Sequence, residues 1–222
     1  MDKHSTLWVL KSIKCFSFLL TLVLLVQSAK GQVTKADNRL ESIEASKNDL
    51  FQGIDFKNVG PTIMSGRVTD IEGNPNNPQE FFVAYASGGL WYTRNGGLSF
   101  EPVFDHQSTL TIGDVAVRWA DPIEIWVGTG EVNSSRSSYA GSGVYLSEDT
   151  GASWQHIGLE ESHHIGRIIL EPDDPSIAYI AVLGHLYTNN PERGVYITEN
   201  KGESWEKALF INDSTGAIDL LR

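Results

Sequence analysis

The stretch "SEDTGASW" (147–154) decides the fold, because the chain writes it three times. "TRNGGLSF" (93–100) and "TENKGESW" (198–205) follow the same plan: a hydroxyl residue, then an Asn or Asp, a glycine and a serine at two-residue steps, and a closing aromatic. Each part has work to do in a tight turn. Asn95, Asp149 and Asn200 carry short side chains that accept backbone N–H bonds from their own turn. Gly97, Gly151 and Gly202 supply positive φ. Ser99, Ser153 and Ser204 tie the far end, and Phe100, Trp154 and Trp205 place a large ring between neighbouring units.

Working outward, "GLWYTRNGGLSF" (89–100), "GVYLSEDTGASW" (143–154) and "GVYITENKGESW" (194–205) align, and so do the upstream "GRVTDIEG" (66–73), "GDVAVRWA" (113–120) and "GRIILEP" (166–172). The unit is about 50 residues, within the range of periods that mark repeat architectures. It reads as four short strands, in the second copy 114–120, 124–131, 143–149 and 153–158. They are rich in β-branched and aromatic residues and bounded by Gly, Pro, Asn and Asp. No helical periodicity intervenes. Four antiparallel strands per repeat describe a β-propeller blade, so the fold class is all-β. The expected blades are 66–104, 113–158 and 166–210, with "GAIDLLR" (216–222) as the first strand of another. A ring takes about four to eight blades, so the expectation is a fragment of a larger propeller whose remaining blades are missing. "FKNVG" (56–60) copies the fourth strand "WQHIG" (154–158), as a strand closing a last blade would.

The N-terminal residues 1–31 read as a secretory signal. Lys3, Lys11 and Lys14 precede the apolar run 15–26, and Ala29 and Gly31 stand at the small-residue positions. The run is about 12 residues, short of the ~20 a spanning helix needs. Cleavage is expected before Gln32, giving a secreted or periplasmic/extracellular protein with no membrane contact thereafter. Residues 32–52 are polar and read as an exposed, partly helical lead-in. Cys15, the only cysteine, falls in the signal, so the mature chain has no disulfide or thiol chemistry. The formal net charge of −11 argues against nucleic acid as a partner. No cofactor and no metal are expected.

Candidate ligand-binding residues gather in the loops of one propeller face, where function concentrates. Glu131, Asn133, Arg136 and Tyr139 lie in the long loop 130–142. His163 and His164 lie in the 159–165 connection, and His185 follows Gly184; Asp105 and His106 precede the second blade. Arg136 would grip a carboxylate or sugar hydroxyls, Glu131 would accept hydrogen bonds, and the histidines would act as acid, base or ligand. The competing reading is that these groups serve their own loops.

The turn pattern [ST]-x-[DN]-x-G-x-S-[WF] resembles the Asp-box of bacterial neuraminidase (BNR) repeats. "WVGTGEVNSSRSS" (126–138), the 163–187 stretch and "ERGVYITENKGESWEK" (192–207) resemble large secreted bacterial proteins of the sortilin-N-terminal or glycosyl-hydrolase type. The resemblance covers about 51–222. It implies a binding or scaffold propeller engaging a peptide or glycan, or alternatively a glycoside hydrolase whose carboxylates lie partly outside this stretch. The sialidase Arg-Ile-Pro is absent from "NVGPTIMSGRV" (58–68). In "YASGGLWY" (85–92), Ser87 stands where the resemblance to propeller xyloglucanases implies a catalytic Asp. Serine cannot serve as the base of an inverting hydrolysis.

Overall fold

The computed structural model describes residues 66–134 and 138–222. The stretches expected as a signal (1–31) and a lead-in (32–52), the strand expected at Phe56–Gly60, and Arg136 fall outside the described residues.

Among those residues the strands form three four-stranded antiparallel sheets, each a simple meander. The first contains β1 (Val68–Gly73), β2 (Phe81–Tyr85), β3 (Gly89–Thr93) and β4 (Glu101–Pro102). The second contains β5 (Ile112–Arg118), β6 (Glu124–Thr129), β7 (Val144–Ser147) and β8 (Gln155–His156). The third contains β9 (Ile165–Leu170), β10 (Ala178–Val182), β11 (Gly194–Thr198) and β12 (Glu206–Leu209). The first strand of the middle sheet, β5, lies beside both β1 and β9. The three first strands are therefore the innermost, and the sheets are blades of a β-propeller.

The seams between blades explain the composition of the strands. Successive side chains on a strand point to opposite faces. On β6, Ile125 and Val127 enter the cluster shared with the first blade, around Phe82, Tyr92 and Phe104. Trp126 enters the cluster shared with the third, around Ile165, Ile180 and Tyr196. With both faces covered, all six residues of β6 are buried. Burying each large aliphatic or aromatic side chain is worth roughly 1.5–3 kcal/mol, against about 1 kcal/mol net for a hydrogen bond. The seams therefore outweigh the turns in holding the blades together.

The three turns are built alike. The hydroxyls of Thr93, Ser147 and Thr198 accept the N–H of Gly97, Gly151 and Gly202 at 3.0, 2.9 and 2.8 Å. Oδ1 of Asn95, Asp149 and Asn200 accepts the N–H of Ser99, Ser153 and Ser204 at 3.0, 2.8 and 3.0 Å. Two rings then hook backward. Trp154 Nε1 donates to the carbonyl of Val103 (2.6 Å) and Trp205 Nε1 to that of Ile157 (2.7 Å), each just past the outermost strand of the preceding blade. Phe100 departs from the expected place between blades and packs edge-on against Phe81 of its own blade.

The innermost strands correct the sequence alignment. Each pairs with its neighbour through a register shift: between Val68 and Asp70, between Ile112 and Asp114, and one residue after Ile165. Thr69, Gly113 and Gly166 are thus equivalent, whereas the sequence motif aligned Gly66 with Gly113. The bulge needs glycine in the later blades because the next unit's backbone presses on it. A Cβ on Gly113 would overlap the carbonyl oxygen of Ile165, and one on Gly166 that of Ile218. The fourth strands are also shorter than expected. In the second blade the regular ladder covers Gln155 and His156, Ile157 and Gly158 keeping backbone bonds to Val144, while the Trp154 ring turns away to make its hook. Residues 216–222 form no ladder, contrary to expectation. They still follow the inner rim, where Ala217 N donates to Val182 O (2.9 Å) and Ile218 stands to Gly166 as Ile165 stands to Gly113.

Candidate functional site

Two places collect side chains with chemistry. The first is the inner rim. The bulges aim Asp70, Asp114 and Arg167 at equivalent positions. Asp70 Oδ2 accepts from Val115 N (3.3 Å) and Asp114 Oδ2 from Ile168 N (2.6 Å), so each carboxylate receives the next blade's innermost amide. At the third position the sign reverses: Arg167 Nη1 reaches back to Asp114 Oδ1 (3.3 Å) and its Nε forward to Asp219 Oδ1 (2.9 Å). Burial, helped by the neighbouring Asp70 charge, pushes Asp114 up to about 8 and Glu72 up to about 7. Burial also raises Asp70. Asp114 and Glu72 hold protons near neutrality, as a general acid must, but Asp70 and Asp114 spend their lone pairs on blade-to-blade bonds. Sequence reasoning missed them. The available signal was Asp114 itself, a carboxylate inside the apolar run of "IGDVAVRW" (112–119).

The second place is the mouth expected from the loops. The β2–β3 turn, the β6–β7 loop, the β8–β9 connection and the β10–β11 loop open there. Glu131 is 1% exposed and held by a bidentate ion pair from Arg67, with Nε to Oε1 at 2.6 Å and Nη2 on Oε2. Asn133 Nδ2 adds a bond to Oε1 (3.3 Å). A carboxylate so enclosed ties its own loop to Arg67. His164 is likewise buried, with Nδ1 2.7 Å from the carbonyl of Glu131. Burial lowers its pKa, so it is neutral at physiological pH.

The remaining candidates face outward or each other. Tyr139 is 59% exposed. His163 and His185 stack with ring centroids 3.6 Å apart. His163, in the left-handed half of backbone space at φ 53°, follows the short 3-10 helix Glu160–Ser162, whose Glu161 faces both rings. Beside His185 a pocket of about 250 Å³ is lined by Tyr187, Thr188, Asn189, Arg193 and Ser214. Tyr187, which the sequence did not single out, is 81% exposed. Ser87 lies in the β2–β3 turn at the same face.

No family model matches the chain. An oligoxyloglucan-reducing end-specific xyloglucanase of Emericella nidulans is 29% identical over 154 residues, 68% of this chain and 18% of that protein. The crystal structure of an ancestral GH74 enzyme superposes with a TM-score of 0.55 at 20% identity, over 70% of this chain and 20% of that one. The chain thus spans about a fifth of the length of the curated relative it matches. The likeness to the solved structure agrees with the propeller read from the three blades.

Proposed function

We propose that this chain supplies blades to a larger propeller that engages a hydroxyl-rich polysaccharide of the xyloglucan kind, in the service of glycoside hydrolysis. The observation that carries the reading is the similarity to the xyloglucanase along two thirds of the chain. It favours the hydrolase alternative over a sortilin-like binding module. The mouth agrees with it. Tyr139 and Tyr187 offer exposed rings with an apolar face and a polar edge, which suit the alternating faces of a sugar ring. The pocket beside Tyr187 is lined by amide, hydroxyl and guanidinium groups.

The hydrolytic step needs two carboxyl groups across the scissile bond, one protonated and one ionised. Ser87 cannot be either, and Glu131 is sealed against Arg67. In this reading the mouth grips the glycan, and the reacting pair is completed by carboxyls elsewhere in the assembled propeller. Affinity electrophoresis of the full chain in gels with and without xyloglucan tests the grip. Retardation that weakens in Tyr187→Ala and Tyr139→Ala is expected. Equal mobility in both gels, or retardation indifferent to both changes, would sink the proposal.

A further inference from the structure

The mouth also holds a cluster with ligand chemistry that glycan binding does not use. Glu161 Oε2 stands 3.5 Å from His185 Nε2 and 3.9 Å from His163 Nε2, and one ligand atom from each residue falls within 4.8 Å of the others. The two imidazoles are stacked at 21° with centroids 3.6 Å apart, so the rings must turn apart for both in-plane lone pairs to converge on one ion. We propose that Glu161, His163 and His185 bind a divalent transition-metal ion of the zinc kind, with one coordination position left open.

Four observations support the site. The donor set is two imidazoles and a carboxylate, one of the combinations that hold zinc through three protein ligands with an open fourth position. Bonds of about 2.0–2.1 Å around a tetrahedron put ligand atoms roughly 3.4 Å apart, so the two measured separations need close by no more than about half an ångström. Glu161, 69% exposed at its side chain, is free to make that movement.

One tautomer of His185 suits a ligand. Its Nδ1 lies 2.8 Å from Thr188 Oγ1. With Nδ1–H donating there, Nε2 carries a lone pair, and that atom is buried with no hydrogen-bond partner. An outer acceptor on the second ring nitrogen fixes the orientation of a ligating histidine, and here the Thr188 hydroxyl takes that place.

The scaffold is built in advance. Asn190, buried, accepts from His185 N (3.0 Å) and donates to the carbonyl of Glu161 (2.8 Å), tying the two ligand-bearing segments together. Arg193, also buried, donates to the carbonyls of Leu183 (2.6 Å), His185 and Thr188. Finally, His163 keeps φ 53° and ψ −40°, a costly conformation for a residue with a side chain. Its carbonyl is clamped by Gly141 N at 2.7 Å. Strain of this sort gathers at functional sites.

Calorimetric titration of the full chain, made without a histidine tag, with zinc chloride tests the proposal. A cobalt(II) titration followed in the visible reports tetrahedral geometry. Uptake of one ion per chain is expected. His163→Ala and His185→Ala should each weaken it by tenfold or more, and Thr188→Val by roughly tenfold, since outer-layer changes cost about 10–100-fold in affinity. Glu161→Gln, at an exposed position, leaves the fold intact and decides the matter should a histidine variant fail to fold. No uptake by the parent chain, or uptake unchanged in Glu161→Gln, overturns the site. Glycan binding is scored separately on Tyr187, so either proposal can fail without the other.

Discussion

At the scale of the residue, Asp114 shows how a single carboxyl couples the rim to pH. It is 3% exposed, and burial raises it from 3.8 to about 8. Below the lower value the group is protonated whether the chain is folded or not. As pH rises the unfolded chain loses this proton first, while the folded chain keeps it until near the upper value. Over that window the native state binds more protons, so stability falls with rising pH and levels off beyond about 8. Thermal melts across the window should show the midpoint falling. In Asp114→Asn, which keeps an oxygen for Ile168 N, the fall should become shallower but not vanish, since Glu72, raised to about 7, adds a slope of the same sign. An unchanged slope in the variant would place the pH dependence elsewhere.

At the scale of the element, the repeated turns and the bulges differ in what they tolerate. Asp149 is exposed, and water can replace it as acceptor for Ser153 N. Asp149→Ala should therefore cost only about 1 kcal/mol. Gly113→Ala would drive a methyl into the backbone carbonyls of Ile165 and Gly130 and should cost roughly 4 kcal/mol or more, the range of severe core defects. Urea midpoints of the two variants measure the contrast; a similar cost for both would mean the inner strands part more easily than their packing implies. The same contrast explains what the sequence made legible. The turns are written entirely in local side chains, so Asn95, Asp149 and Asn200 can be read directly. The apolar runs of the middle strands announce two-sided burial. The bulges are a one-residue matter of register settled by packing between strands, and they escaped. At the mouth, loop length drew attention to Glu131 and His185. But Arg67, which seals Glu131, is 64 residues away in sequence, and nothing local to either residue announces the pairing.

At the scale of the whole molecule, the faces of the blades are unequal. The inner seams are closed on both sides. On the far face of the third blade, Ile169, Tyr179 and Val195 line a hollow of about 330 Å³, covered in part by Leu220 and Leu221. Every residue of β12 is exposed, Leu209 to 53%, and Leu221 in the C-terminal stretch to 99%. An outermost strand with apolar neighbours and unpaired backbone groups invites association. Sedimentation of residues 32–222 should show concentration-dependent self-association that weakens when Val195→Lys and Tyr179→Lys are introduced together. A monomer at every concentration would mean that this face is satisfied within the chain.

The two tryptophan hooks have a direction. Trp154 seizes a carbonyl of the blade before it, and Trp205 does the same to the next. Each hook belongs to the later segment and each catch to the earlier one. A chain leaving the ribosome from its N-terminus presents the catch first. The second and third blades thus each find their catch already synthesised, so neither has to wait for a later part of the chain to be anchored.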